Sequence, residues 1–378
     1  MSIASTLPGG KAPHAEIAGA GFAGLTAAAA LCQRGWTVRV HEKGAELRQF
    51  GAGIFLWENG LRVLEATGAA DDVFAHSMSP PVYETRMQHQ TVSRESFGAI
   101  RWRTMTRQHL YAAVLGAAQR AGAEIVVNSE VVAAHQDGSI ELASGETRKA
   151  DLVVGADGVG SRVRDSLGFT QDRNKSRDGI TRLLVPRMKA ELGPGDWDNV
   201  IDFWQLEPRV LRILYTPCND DQLYLAFMAP REDAEGSRVP LDADLWIQHF
   251  PYLRPVIEEA AKLVGRYDGY ETTRLERWSM GKVALIGDAA HAMCPALAQG
   301  AGCGMMNAYS LAASARAGDG MESALAAWEQ RERGITDRCQ ERSGWFAETR
   351  SMSKGNQFTP TILETASYDV VASNKSPA

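Results

Sequence analysis

The sequence predicts an α/β fold in which a Rossmann-type dinucleotide-binding domain is interrupted by an inserted domain on a mixed or antiparallel sheet (α+β) and followed by a C-terminal helical segment. Three observations carry this. A short apolar run at 15–18 leads into Gly19-Ala20-Gly21-Phe22-Ala23-Gly24, then a helix and a second strand. Two more apolar runs, 151–155 and 282–286, each end in a loop containing Gly and Asp. Between about 173 and 270 the texture changes to β-branched and aromatic segments separated by Pro, Asn and Asp. The boundaries that follow are a leader at 1–14, a discontinuous dinucleotide domain at 15–172 and 271–340, a sheet domain at 173–270, and a tail at 341–378.

In chain order, 15–18 is a buried strand, 25–34 a helix stopped by Gly35, and 37–41 a second strand. Such a unit closes as a right-handed parallel crossover. Helices are expected at 59–66, closed by Gly68, and at 107–121, ended by Gly122. Residues 124–128 read as a buried strand, 139–142 and 146–149 as a hairpin around Ser144-Gly145, and 151–155 as another strand. In the insertion, 181–186, 199–205, 210–215 and 222–228 read as antiparallel strands, with helix at 241–263. From Gly300 the chain reads as mostly helical.

A chain of 378 residues can bury a sizeable core without disulfides or metals. Its net charge of −6 supplies no basic field for nucleic acid or anionic lipid. The five cysteines, Cys32, Cys218, Cys294, Cys303 and Cys339, include no C-x-x-C pair, which argues against a zinc site and for reduced thiols. The leader is polar and holds no stretch of signal-peptide length, and the apolar part of the first helix, 25–31, is far short of the ~20 residues a bilayer requires. A cytoplasmic protein with no metal, nucleic-acid or membrane partner is expected; oligomerisation stays open.

The glycine motif has a mechanism. Gly19 permits the tight turn, Gly21 lets backbone approach a pyrophosphate, and Gly24 lets helix and sheet pack closely. The helix start offers free N–H groups to phosphate. Glu42, about twenty residues on, stands where an acid grips a ribose diol. A second motif, Asp151-Leu-Val-Val-Gly-Ala-Asp157-Gly158-Val-Gly-Ser161-Arg162-Val-Arg164, and a third, from Gly281 through Gly287-Asp288 to Gly304, each run an apolar strand into a polar loop.

These three motifs, in this order and spacing, resemble the single-component FAD-dependent aromatic hydroxylases of the para-hydroxybenzoate hydroxylase class, over about residues 16–339. The resemblance implies that Gly19, Gly21, Phe22, Ala23, Gly24, Glu42 and Lys43 hold the ADP half of FAD. It places Asp157 beside the pyrophosphate and Asp288 on the ribityl or pyrophosphate region. It lays Pro295, Ala298, Gly300, Ala301 and Gly302 along the isoalloxazine ring. Arg107 matches an arginine that contacts FAD, and Gly51 to Ile54, with Gly53, a loop that frames the flavin. No second G-x-G-x-x-G is visible, which fits a class whose NADH or NADPH docks transiently and whose co-substrate is O₂.

The insertion resembles, more narrowly, flavin oxygenases of hydroxypyridine carboxylates such as 2-methyl-3-hydroxypyridine-5-carboxylate and 5-hydroxynicotinate. The matching segments are 186–189, 208–215, 267–273 and 289–303. The substrate-binding residues implied are Tyr83, Arg182, Arg212, Tyr224, Tyr270 and Pro295, with Tyr224, Arg212 and Tyr270 closest to the chemistry. An arginine on an apolar strand needs a partner, and a guanidinium is a natural carboxylate fork. No acid stands near Arg212 in sequence, so the expected partner is the substrate carboxylate. His291 and Cys294 sit in the flavin loop, where the reading favours packing over catalysis. The expected reaction proceeds through a flavin hydroperoxide that hydroxylates, and then opens, the small aromatic ring. The alternatives are a hydroxybenzoate-type hydroxylase without ring cleavage, and a flavin-dependent reductase or non-catalytic FAD-binding module.

Overall fold

The structure, a computed structural model, describes residues 12–47, 52–98 and 100–350. Most of the expected leader, Gly51 and the tail beyond residue 350 lie outside the described residues.

The dinucleotide domain is built on a six-stranded sheet. Its strands run, from one edge, Ser279–Met280, Val283–Leu285, Leu152–Gly155, His14–Ala18, Thr37–His41 and Glu124–Val126. All neighbours are parallel except the first pair. The register sets Ala18 beside Gly155, and Gly155 beside Leu285. All three motif loops therefore leave the same carboxyl edge, where open α/β sheets bind ligands. The helix Phe22–Cys32 is almost wholly buried and rich in alanine, which lets it lie close to both the sheet and the helix Gly300–Ser314.

The second sheet has seven strands in the order Tyr267–Leu275, Gln171–Pro186, Gln222–Pro230, Leu211–Pro217, Val200–Gln205, Tyr83–Met87 and Gln90–Glu95. Side chains alternate between its faces. Ile213, Tyr215, Leu225 and Phe227 pack with Trp246 and Ile257 of the helices Ala243–His249 and Arg254–Ala261 and with Phe250 between them. Arg212, Leu214, Tyr224 and Met228 fall on the other face, toward the dinucleotide domain.

Four features depart from the expectation. The hairpin Tyr83–Met87 with Gln90–Glu95 comes from the first half of the chain yet completes this sheet, through a parallel pairing of Tyr83–Met87 with Val200–Gln205. A two-stranded ribbon, Gly53–Trp57 with Trp102–Thr106, precedes the helix Arg107–Arg120. The strand at 124 is only three residues long and half-exposed, because it closes an edge and pairs on one side. The last helix, Met321–Thr349, continues well past residue 340 and returns to the interface between the two sheets. No helix among the described residues is long and apolar enough to cross a membrane.

Candidate active site

One cavity of about 410 Å³ runs between the motif loops and the inner face of the seven-stranded sheet. Its dinucleotide end is shaped by glycines. Gly19 has φ +100°, and a β-carbon there would lie 2.4 Å from the carbonyl oxygen of Ala156. The first two motif loops thus touch at a point only glycine allows. A β-carbon on Gly24 would lie 2.1 Å from the Gly19 carbonyl, whereas one on Gly21 meets nothing within 4 Å. Gly21 borders the cavity and is the N-cap of its helix, with no side chain capping the free N–H groups.

The carboxylate of Glu42 accepts from the backbone N–H of Ala20 (3.2 Å) and of Gly44 (3.0 Å), which fixes it at the cavity rim beside Lys43. Asp157 accepts from the N–H groups of Arg162 (2.7 Å) and Val163 (3.2 Å) and from Ser161, capping a short helix. Burial raises its carboxyl above the usual range, against those hydrogen bonds. Arg164 is fully buried; it donates to the carbonyls of Val159 (3.0 Å) and Ala289 (3.2 Å), tying the second motif to the third.

The third motif's loop is held from below. Trp57 Nε1 donates to the Leu297 carbonyl (3.1 Å), and Asn59 Nδ2 to Gln299 Oε1 (2.9 Å). Ala298 sits at φ +51°, a strained conformation for a residue with a β-carbon. The helix Gly300–Ser314 opens on the cavity without a side-chain cap, so its positive dipole end faces the space where a flavin ring would carry charge. The open approach at Gly21, the seated Glu42 and two uncapped helix N-termini fit FAD.

Gly19, Gly21, Phe22, Ala23, Glu42, Lys43, Gly53, Arg107, Asp157, Asp288, Pro295, Ala298, Gly300 and Ala301 all line the cavity. Gly24 and Gly302 do not: Gly24 is spent on packing, and Gly302 lies against Gln299 and Asn59. Arg107 stands 5.7 Å over the Phe22 ring. Gly53 brings the ribbon against the sheet, since a β-carbon there would come within 2.4 Å of Tyr224 Cβ.

At the sheet end the lining includes Tyr83, Arg182, Arg212, Tyr224, Tyr270 and Pro295. One expectation is corrected here. Arg212 does have an acidic partner within the protein: Nε and Nη2 donate to the two oxygens of Asp202 at 2.7 and 3.0 Å. Asp202 lies on the neighbouring strand, where the register pairs Trp204 with Arg212, so the partner is close across the sheet though ten residues away in sequence. Asp202 also accepts from the Tyr83 hydroxyl (3.2 Å), and the Arg212 guanidinium stacks 4.4 Å over Trp204. Burial opposes the charge on Arg212, but Asp202 more than restores it. Burial first, then Asp202, raises the Tyr83 hydroxyl well above its ordinary value. Tyr224 and Tyr270 are raised by burial, against the nearby arginines. All three tyrosines are therefore neutral near pH 7. The Tyr270 hydroxyl has no hydrogen-bond partner among the described residues. Arg182 shares Asp268 (3.2 Å) with Arg266 (2.6 Å), so two cations divide one anion there.

Trp204, Asp178, Phe346 and Arg350 also line this end and were missed. Arg350 forms a two-pronged ion pair with Asp178. The signal for Asp202 was a lone acid in the otherwise apolar run 200–204; no local signal announced Arg350. Cys294 borders the cavity, but His291 does not. His291 lies behind the loop, its Nε2 3.0 Å from Asn307 Nδ2 and its ring 5.1 Å from Trp278.

Comparison with known proteins shows the family. The model of the FAD binding domain family matches residues 13–343. A putative 2-heptyl-3-hydroxy-4(1H)-quinolone synthase of Rhodococcus erythropolis is 40% identical over 348 residues, covering 91% of this chain and 90% of that protein. A 6-hydroxynicotinate 3-monooxygenase of Bordetella bronchiseptica is 26% identical over 316 residues, covering 79% of this chain and 82% of that protein. Among solved structures, the tetrameric form of 2-methyl-3-hydroxypyridine-5-carboxylic acid oxygenase superposes with a TM-score of 0.91 at 61% identity, covering 94% of this chain and 96% of that one.

Proposed function

Because the chain belongs to the FAD-binding-domain family, we propose that this FAD-dependent monooxygenase uses NADH or NADPH and O₂ to hydroxylate, and then open, the ring of a small hydroxypyridine carboxylate. The observation that carries the reading is the inner face of the sheet, where two arginines and three neutral tyrosines surround a small apolar floor of Ile180, Leu214 and Met228. The 61% identity with a pyridine-carboxylate oxygenase supports the same substrate class.

FAD, once reduced, supplies the oxygen-activating chemistry. The protein's share is placement and exclusion of water. Arg182, with only a share of Asp268, and Arg212, whose Nη1 lies outside the Asp202 pair, take the carboxylate. Tyr224 and Tyr270, both protonated, meet the ring hydroxyl with donor or acceptor as its charge requires. Tyr83 donates its hydrogen bond to Asp202 and stands beside Arg212 in the pocket wall. Trp57 stacks on Trp102 at 5.3 Å and packs edge-on with Phe97, so this side is closed by apolar bulk.

Oxidation of NADH without a ring acid should be slow, and a hydroxypyridine carboxylate should raise it at least several-fold, with a product mass showing added oxygen and an opened ring. Consumption of NADH and O₂ is measured across hydroxypyridine carboxylates, hydroxybenzoates and an alkyl quinolone. If only the quinolone stimulates, the substrate class is that of the 40% identical relative; if only hydroxybenzoates do, ring opening falls too.

Replacing Arg212 by Met keeps the stem and removes the charge. It should weaken ring-acid binding by roughly ten- to a hundred-fold, from ~1.5–3 kcal/mol for a charged hydrogen-bonded contact. Titration by flavin absorbance reads this, with FAD content as the control. Undiminished preference for the acid over its decarboxylated analogue would hand the carboxylate to Arg182.

A further inference from the structure

We propose that Asp202 is a positioning residue of the substrate pocket: it locks Arg212 and Tyr83 into one unit and turns Arg212 from a free cation into an aimed hydrogen-bond donor. The inference rests on the substrate reading above and adds to it a residue that no ring atom needs to touch.

Asp202 is fully buried, yet both its oxygens are committed to side chains that line the cavity. One oxygen accepts from Arg212 Nε at 2.7 Å; the other accepts from Arg212 Nη2 at 3.0 Å and from the Tyr83 hydroxyl at 3.2 Å. A buried carboxylate is tolerated only where such partners repay its desolvation. It lies in the strand Val200–Gln205, whose Ile201 and Phe203 point into the core beneath the sheet. Its own position is therefore set by a rigid strand. The Trp204 ring supports the guanidinium face at 4.4 Å. Held along one edge and across one face, Arg212 has little freedom left, and its charge is largely cancelled.

That has a consequence for selection. An uncompensated arginine in a closed pocket attracts any anion. A compensated and fixed one rewards only a ring that brings its acceptor to the right place, so Asp202 exchanges gross affinity for alignment. Asp202→Asn releases the charge on Arg212. Ring acids should then bind more tightly than to wild type, by about threefold or more, while oxygenated product per NADH consumed falls roughly fivefold or more. A purely structural role would instead lower FAD content and affinity together.

The decisive measurement is a double-mutant cycle of Asp202→Asn and Arg212→Met, read both as ring-acid dissociation constants and as product per NADH, with Asp202→Glu alongside. In the Arg212→Met background, Asp202→Asn should change both quantities severalfold less than in wild type, the remainder acting through Tyr83. Asp202→Glu, charged but one methylene longer, should hold FAD and ring acid yet still lose coupling, and it decides the matter if the asparagine variant fails to fold. Equal effects of Asp202→Asn in both backgrounds, or wild-type coupling in Asp202→Glu, overturns the assignment. If ring acids bind wild type without stimulating NADH oxidation, the substrate reading alone falls and the binding cycle still tests Asp202. If no ring acid binds at all, both fall.

Discussion

Gly19→Val is expected to yield a folded but colourless protein. The branched β-carbon would have to occupy the place of the Ala156 carbonyl, 2.4 Å from where it would be built, at a φ of +100° that valine does not adopt. Both obstacles are backbone, so neither yields by a rotamer change. The loops of the first two motifs must part, and the phosphate cradle parts with them. Strain and overpacking of a few kcal/mol at the cradle predict FAD binding weaker by a factor on the order of a hundred or more. Flavin absorbance per protein measures it, with circular dichroism to confirm the fold. Gly21→Ala is the contrast: its β-carbon meets no protein atom within 4 Å, so thermal stability should hold while FAD retention drops. A yellow Gly19→Val protein would mean the two loops need not touch to bind the cofactor.

Acid should destabilise the protein through His291. Burial lowers its pKa to about 4, with Arg333 adding to the effect. In the unfolded chain the imidazole titrates near its ordinary ~6.5. Between those values the unfolded state binds the extra proton, so stability falls as pH falls. The contribution is fully present above about pH 6.5 and is lost by about pH 4, and for this buried group it amounts to roughly 3 kcal/mol. Urea titrations at pH 7 and pH 4 compare wild type with His291→Asn. The variant should be weaker at neutral pH, where packing on Trp278 is lost, and should lose about 3 kcal/mol less on acidification. Parallel losses in the two proteins would place the acid sensitivity elsewhere.

The phosphate-binding half of the site was legible in the sequence because its chemistry is local. Gly19, Gly21 and Gly24 act through their own backbone within one turn, and Glu42 comes from the next strand. Asp157 and Asp288 likewise sit directly after strands that the apolar runs at 151–155 and 282–286 disclose. The substrate half is assembled by long-range pairing, which spacing does not display. Asp202 reaches Arg212 across a strand pair, and Arg350 reaches Asp178 from 172 residues away. The hairpin at 83–95 was hidden for a related reason. Its polar and charged side chains blur the alternation that marks a half-buried strand, and Glu84 is buried with Arg86, Thr91 and Arg94 as its partners.

That hairpin's pairing also sets a schedule for synthesis. Tyr83–Met87 is made early, but its parallel partner Val200–Gln205 leaves the ribosome more than a hundred residues later. At ~5–20 residues per second the hairpin waits roughly ten seconds with an unsatisfied edge. Ribosome-bound chains stalled before residue 200 should expose that edge to trigger factor or to aggregation, and those stalled well beyond residue 230 should not. The same threading splits the seven strands between two stretches of the gene, 83–95 and 171–275, with dinucleotide-domain elements between them, so splicing this pocket onto another flavoprotein requires transplanting both together.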